Sequence, residues 1–197
     1  MLAKAVTELG FLAAVEGYAP QTAQEARDRE LILRWMGAYP GTVLTRENPW
    51  AHLTASSMIL NRAGDRVLMV YHNLYRAWSW TGGHADGQDD PLGVALREAW
   101  EETGLAGLRP LSPAPASVEI LPVWGHEKQG VYVASHLHLN VSFLLEGDAS
   151  APLKSNPAEN SGVRWILADA LQKEVSEREM LPVYQKLVRR AEPFLGR

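Results

Sequence analysis

The stretch that decides the fold runs from Thr81 to Leu105 and reads TGGHADGQDDPLGVALREAWEETGL. Its first part is a polar loop that follows a predicted strand and contains several glycines, which let a backbone approach a ligand closely. Asp90 followed by Pro91 is typical of a helix N-cap and the first helical residue. The pattern therefore predicts a loop and then a helix over about 91–103.

This predicted helix has two faces of different chemistry. Core spacing is shared by Leu92, Ala95, Leu96, Ala99 and Thr103. Glu98, Glu101 and Glu102 stand at i, i+3 and i+4 on the other side, where each like-charge pair costs about 0.2–0.5 kcal/mol. Arg97 offsets only part of that repulsion. The cluster is either a solvated acidic face or a site for Mg²⁺ or Mn²⁺, which prefer oxygen ligands.

The same stretch resembles the signature of the Nudix hydrolase family. That signature has a Gly, five residues, a Glu, seven residues, and then Arg-Glu-apolar-any-Glu-Glu-any-Gly-apolar. Gly83 begins the pattern here, the segment REAWEETGL from Arg97 to Leu105 completes it, and every spacing is kept. The one departure is Asp89, which stands where the family usually has Glu.

The resemblance extends over about residues 45–168. The segments LTREN, WSWTGGHADG, SHLHLN and NSGVRW are similar to those of one bacterial group of the family, whose substrate is poorly defined. The resemblance implies an α/β (α+β) fold, a Nudix-like α/β/α sandwich with a mixed central sheet. It also implies metal-dependent hydrolysis of a pyrophosphate (phosphoanhydride) bond, with Mg²⁺ or Mn²⁺, in a nucleoside diphosphate-linked or related small molecule.

We refer to the signature from Gly83 to Leu105 as the box. Carried over by position, the resemblance assigns metal-ligand roles to its residues. The carboxylates of Glu98, Glu101 and Glu102 are expected to bind the metal, together with the carbonyl oxygen of Gly83. Arg97 is expected to be structural, because it would pair with the acids and hold the loop to the helix.

Two points in this assignment stay open. Asp89 is one methylene shorter than Glu, which reduces its reach by about 1.5 Å, so we expect a structural or water-mediated contact. The general base is either Glu101, within the signature, or Glu159, in the SNPAENSG loop. Glu98 is also expected to be catalytic. An ordinary polar turn is the alternative for Glu159.

Further polar and aromatic residues are candidates for substrate contact. His136, His138 and Asn140 alternate along a predicted strand and share one face, where they would contact or support a substrate. Two other interpretations of these histidines stay open. They could form a zinc-like pair, although no third ligand is identifiable, or they could be hydrogen-bonded residues of an ordinary strand. His84 could contact a phosphate, and Trp80 could stack on a base or belong to the core.

Outside the box the chain reads as a mixed sheet with helices on its faces, with a helical extension over residues 1–45 and the Nudix domain over 46–197. Thr22 and Glu25 form a capping-box pattern that starts an early helix. Strands are predicted near 56–60, 66–71, 117–123, 132–145 and 162–166. The last helix either begins at Leu181 with Pro182 in its first turn or is kinked at the proline.

Composition limits the classes of partner. The chain has 197 residues and a formal net charge of −4, and no dense basic run, so a small diphosphate ligand is favoured over polymeric nucleic acid. No apolar run reaches the roughly 18 residues that span a bilayer, so no membrane partner is expected. Cysteine is absent, which excludes a thiolate nucleophile and fits a cytoplasmic protein.

The first 20 residues are expected to be a folded or docked segment rather than a signal peptide, because Glu8 and Glu16 interrupt their apolar stretch. A homodimer could form through the N-terminal extension and the last helix.

Three other functions are alternatives. The first is a Nudix-fold ligand-binding or regulatory module with little turnover, against which the intact Glu98, Glu101 and Glu102 speak. The second is an isopentenyl-diphosphate isomerase, which is disfavoured because an active-site cysteine is expected there. The third treats the acidic helix as a solvated surface without function.

Overall fold

A computed structural model describes residues 10–128 and 130–195. Its strands are β1 (Ala51–Asn61), β2 (Arg66–His72), β3 (Ala77–Ser79), β4 (Thr81–His84), β5 (Arg109–Pro110), β6 (Ser117–Val123), β7 (His126–Lys128), β8 (Val131–Val133), β9 (His136–Gly147) and β10 (Asn160–Leu167). Its helices are α1 (Phe11–Gly17), α2 (Ala23–Ala38), α3 (Pro91–Thr103), α4 (Leu171–Glu174) and α5 (Leu181–Ala191).

The central sheet has eight strands and is mixed. Its main path is β10-β2-β1-β9-β5, while β3 pairs with β2, β4 with β1 and β6 with β9. The long central strands β1 and β9 run parallel over eleven residue pairs, from Ala51 opposite Leu137 to Asn61 opposite Gly147. The other pairings of this sheet are antiparallel. The predicted mixed sheet is confirmed.

Helices cover both faces of the sheet because side chains along β1 alternate between them. Leu53 and Ala55 join a core with α1, α2 and α3, whereas Met58 and Leu60 join a core with α4 and α5. Ile59 belongs to a third cluster, which it shares with Ala99 of α3. This three-layer arrangement is the α/β/α sandwich that the resemblance implied.

Local signals predicted where α2 and α3 begin. Asp90 caps α3 by accepting a hydrogen bond from the amide of Gly93, and Gly104 ends it in the left-handed region at φ 64°. The Thr22 side chain caps α2. Helix α5 begins at Leu181 with its proline in the first turn, which settles the alternative left open by the sequence.

Two strand predictions were wrong in extent. The predicted strand 132–145 is two strands, β8 and β9, with Ala134 and Ser135 between them. The first strand begins at Ala51 rather than near residue 56. About half of its first residues are polar, and their composition is less typical of a strand than that of the later residues. Parallel pairing with β9 nevertheless places them in the sheet.

Helix α1 is docked on the domain rather than separate from it. Phe11 and Val15 are fully buried in the same core as Leu53 of β1. The amide of Phe11 also donates a 2.7 Å hydrogen bond to the Asp89 carboxylate. Residues 1–9 of the N-terminal segment lie outside the described residues. Among the described helices, none combines the length and apolar character needed to cross a membrane.

A buried ion network joins α2, β6 and α5. The Glu25 carboxylate, fully buried, accepts hydrogen bonds from Arg190 at 2.6 and 3.0 Å and lies 2.8 Å from Lys186 Nζ. Lys186 also contacts Glu119 at 2.7 Å. Burial raises the pKa of Glu25, but the bonds from Arg190 and Lys186 prevail and hold that pKa well below its ordinary value. Glu25 is therefore ionised and depends on both cations.

Replacing Arg190 with Ala should lower the free energy of unfolding by about 3–5 kcal/mol, because it leaves a buried carboxylate short of its main partner. Urea unfolding followed by circular dichroism measures the change. Arg189→Ala is the matched control, since Arg189 is exposed on the same helix, and it should change stability by no more than about 0.5 kcal/mol. Equal effects of the two substitutions would contradict the importance of the network.

Candidate active site

Strand β4 lies so close to β1 and to helix α3 that a side chain at Gly82 or Gly83 would overlap a neighbouring residue. A Cβ at Gly83 would lie 2.2 Å from the carboxyl carbon of Glu98, and a Cβ at Gly82 would lie 2.3 Å from Ser56 Oγ. The amide of Gly82 donates a 2.9 Å hydrogen bond to Glu102 Oε1. The two glycines thus let the backbone of β4 lie directly against two carboxylates of the helix.

Three carboxylates meet at this position: those of Glu98, Glu102 and Glu159. One oxygen from each lies within 4.8 Å of the others; we refer to these three residues as the carboxylate cluster. Glu98 is 8% exposed and Glu102 is 4% exposed, so a solvated acidic face is wrong for both. Glu159, from the loop before β10, is exposed and completes the group.

Burial changes the protonation of the two helical acids. It raises the pKa of Glu98 and raises that of Glu102 well above the ordinary value, and their carboxylate neighbours raise both further. Two buried anions in contact are costly unless a cation compensates them. A set of hard carboxylate oxygens fits Mg²⁺ or Mn²⁺. The donors of the carboxylate cluster therefore match the metal that the sequence suggested.

Glu101 lies outside the carboxylate cluster. Its side chain is 39% exposed and lies 3.3 Å from Arg97. Arg97 also contacts Glu98 at 2.7 Å and donates to the carbonyl of His84 at 3.4 Å. Arg97 thus joins the helix to the loop, as a structural role requires. Among the predicted ligands, the structure groups Glu98 and Glu102 but places Glu159 where Glu101 was expected.

Asp89 also has structural contacts. Besides accepting the Phe11 amide, its carboxylate fills the space beside Gly10, where a Cβ would lie 2.8 Å from Oδ2. Asp89 is not among the residues of the carboxylate cluster. Its contacts are those of a docking residue for α1, which agrees with the structural role given to it.

Four histidines meet near the other end of β4. His52, His84, His136 and His138 each place a ring nitrogen within 4.8 Å of the others; we refer to them as the histidine cluster. The sequence had singled out three of these residues and missed His52. The available signal was the polar alternation of His52, Thr54 and Ser56, in a part of β1 that was not predicted as a strand.

Two predicted substrate contacts are corrected. Trp80 is 8% exposed and packs against Tyr184 with ring centroids 5.4 Å apart, so it belongs to the core. Asn140 is buried, and its side chain bonds to Thr54, Ser56 and Ser142 at 2.9 Å each. Its hydrogen-bonding capacity is used inside the sheet, and Asn140 therefore supports the strands rather than contacting a ligand.

A cation near the carboxylate cluster was also missed. Arg46, in the segment LTREN, makes two parallel bonds to Asp86 at 2.8 and 2.7 Å. The Asp86 bond raises the pKa of Arg46 against the opposing effect of burial, with smaller contributions from Glu98 and Glu159. Arg46 thus lies within electrostatic range of the carboxylates. Its distance of 40 residues from Asp86 gave no local signal.

Comparison with known proteins gives a family match. Residues 51–187 match the family model described as NUDIX domain. No curated protein matches the chain at a significant level.

Two solved structures are similar in fold. One is the E. coli dihydroneopterin triphosphate pyrophosphohydrolase, with TM-score 0.53 and 16% identity, covering 70% of this chain and 94% of that one. The other is a Nudix hydrolase from M. smegmatis, with TM-score 0.52 and 18% identity, covering 75% and 92%.

Replacing Gly83 with Ala should displace the Glu98 carboxylate, because the new Cβ would overlap it. We expect Mn²⁺ affinity to fall at least about tenfold, as measured by isothermal titration calorimetry. The free energy of unfolding should change little, because the displaced atoms lie at the end of a flexible side chain. Gly37→Ala is the control, because nothing lies within 4 Å of its added Cβ. Unchanged Mn²⁺ binding by Gly83→Ala would contradict the assigned position of Glu98.

Proposed function

The chain belongs to the Nudix family and is a hydrolase of the pyrophosphohydrolase type, and we propose that its hydrolysis is metal-dependent. The bond cleaved is a pyrophosphate bond in a nucleoside diphosphate-linked or related small molecule, with Mg²⁺ or Mn²⁺ as the cation. One observation carries the proposal: Glu98 and Glu102 are buried against the backbone of Gly82 and Gly83, and a carboxylate oxygen of Glu159 lies within 4.8 Å of an oxygen of each.

We assign the metal to the carboxylate cluster, with the carbonyl oxygen of Gly83 as a further donor. When bound, the ion would polarise phosphoryl oxygens and make a water molecule more acidic. The residues of the chain fix where that chemistry takes place. Gly82 orients Glu102 through its amide, and Arg97 orients Glu98 through an ion pair.

The general base is assigned to Glu101. Its partly exposed carboxylate pairs with Arg97 at 3.3 Å and does not enter the carboxylate cluster, so it remains accessible to a water molecule from which it can accept a proton. Glu159 then acts as a ligand rather than as the base that the sequence also allowed.

The substrate is a small molecule that carries adjacent phosphates. We assign this contact to Arg46, whose side chain is half exposed and would exchange part of its ion pair with Asp86 for a phosphate. Sugar nucleotides, dinucleoside polyphosphates, oxidised nucleotides and non-nucleotide diphosphates form the panel to be tested with each metal. No turnover of any class with Mg²⁺ or Mn²⁺ would favour the binding-module alternative.

Glu102→Gln should lower kcat at least about 100-fold and remove the rise in melting temperature that Mn²⁺ gives the wild type. The amide can still accept the Gly82 N–H but supplies no charge to the metal. Phosphate release and thermal unfolding with and without Mn²⁺ measure both effects. An active variant with an unchanged Mn²⁺ shift would refute the assigned ligand role.

The pH dependence of Mn²⁺ affinity gives a second test of the Glu102→Gln variant. Because the pKa of Glu102 is raised, a proton competes with the metal toward lower pH, and wild-type Mn²⁺ affinity should increase as pH rises. Glu102→Gln should show a weaker dependence, since one competing proton is gone. Calorimetry in buffers of different ionisation enthalpy counts the protons released.

Glu101→Gln and Glu159→Gln should separate the base from the ligand. Loss of the base should lower kcat by about 10²–10⁴-fold and change the acidic limb of the pH–rate profile, with Mn²⁺ affinity unchanged. Loss of the ligand should weaken Mn²⁺ binding. If Glu159→Gln keeps Mn²⁺ affinity while Glu101→Gln loses it, the two assignments are reversed.

A further inference from the structure

The histidine cluster is assembled from three strands that lie side by side. His52 of β1 is the register partner of His138 of β9, and His84 of β4 pairs opposite Thr54 of β1. His136 lies two residues before His138 and therefore on the same face of β9. All four rings consequently project from one face of the sheet, and ring centroids of neighbouring pairs lie 4.8 to 5.3 Å apart.

The cluster contains ring nitrogens that have no partner within the protein. Nε2 of His52 and Nε2 of His138 are both buried without a hydrogen bond, and His52 itself is 5% exposed. A buried polar atom left unpaired costs about 1–3 kcal/mol. Two such atoms in one histidine group point to a ligand that accepts their lone pairs.

Backbone carbonyls orient two of the rings for that purpose. Nδ1 of His52 lies 3.2 Å from the carbonyl oxygen of Asn48, and Nδ1 of His136 lies 2.9 Å from that of Ala134. A carbonyl accepts only from a protonated nitrogen, so each ring carries its hydrogen on Nδ1 and presents the lone pair of Nε2. This arrangement, with the second nitrogen bonded to a carbonyl, is the usual support of a metal-bound histidine.

From this geometry we propose that the histidine cluster binds one Zn²⁺ ion, at a site separate from the carboxylate cluster. Neutral imidazoles bind Zn²⁺ and related transition metals, whereas Mg²⁺ prefers oxygen. Burial lowers the pKa of His52 and His138, so their rings are unprotonated at neutral pH.

The spacing of the rings suits such an ion. Zn–N bonds of about 2.0–2.1 Å in a tetrahedron place the ligand nitrogens about 3.4 Å apart. The four nitrogens already lie within 4.8 Å of one another, so small rotations of the rings close the site. Arg46 is the arginine whose positive charge acts on these histidines. Its two parallel bonds to the Asp86 carboxylate neutralise that charge.

The two metal sites occupy opposite faces of one strand. A side chain at Gly83 would point toward Glu98 of α3, whereas the side chain of the next residue, His84, belongs to the histidine cluster. Consecutive residues of a strand point to opposite faces of the sheet. The donors also differ, with oxygen on one face and nitrogen on the other. Zn²⁺ binding by the histidines therefore does not depend on the proposed hydrolysis and can be tested apart from it.

The test is Zn²⁺ binding by the full chain without a histidine tag, measured by calorimetry and by elemental analysis after dialysis in excess Mg²⁺. The wild type should bind one Zn²⁺ per chain, and Glu102→Gln should bind it equally well. His138→Gln and His136→Gln should each weaken binding by at least about 100-fold. His126→Gln is the matched control, because His126 lies outside the cluster, and it should bind normally.

Two further measurements keep the result decisive. Circular dichroism checks folding, and if His138→Gln does not fold, the partly exposed His136 carries the test. Cobalt substituted for zinc should give the visible absorption of a tetrahedral nitrogen site, lost in His136→Gln. The proposal is overturned if the wild type binds no Zn²⁺, or if His136→Gln binds it normally while Glu102→Gln does not.

Discussion

The structure around the active site depends on one constraint, which is that two carboxylates of α3 are buried directly against the backbone of β4. Gly82 and Gly83 leave no room for a side chain, Glu102 accepts an amide hydrogen of the strand, and Glu98 fills the space a Cβ would need. Such a contact is unfavourable for the folded chain alone, because buried carboxylates are costly. The partly exposed Arg97 pairs with Glu98, whereas Glu102 receives an amide hydrogen bond from Gly82. A function that supplies a divalent cation accounts for it.

Polar groups are also buried on the other face of the sheet, and most of those named here have hydrogen-bond or ion-pair partners within the protein. Asn140 connects Thr54, Ser56 and Ser142 across β1 and β9. Further along, Glu25 is balanced by Arg190 and Lys186. The histidine cluster is the exception on this face, since two of its ring nitrogens have no partner. This contrast distinguishes a polar core from a binding site.

Local patterns predicted the parts of the fold that depend on neighbouring residues. The start of α3 and the cap of α2 followed from Asp90 and Thr22, because caps act within a few residues. The box spacing located Glu98 and Glu102. It could not show that Glu159 would replace Glu101 in the carboxylate cluster, because the loop before β10 reaches the helix only through tertiary packing.

The histidine cluster shows the same limit more clearly. His136 and His138 share a face by simple alternation, but His52 joins them only because β1 and β9 pair in parallel, although His138 stands 86 positions after His52. Nothing near His52 in the sequence indicates that pairing. Trp80 illustrates the opposite case, since its position near the loop suggested a ligand contact but α5 covers it.

The most direct test of the account is the position of Mn²⁺ in crystals of the wild-type protein, located by anomalous diffraction. The account predicts a peak among the carboxylates of Glu98, Glu102 and Glu159, in contact with the Gly83 carbonyl oxygen. Fully ordered carboxylates with no peak between them at saturating Mn²⁺, or a peak only at another place in the chain, would contradict it.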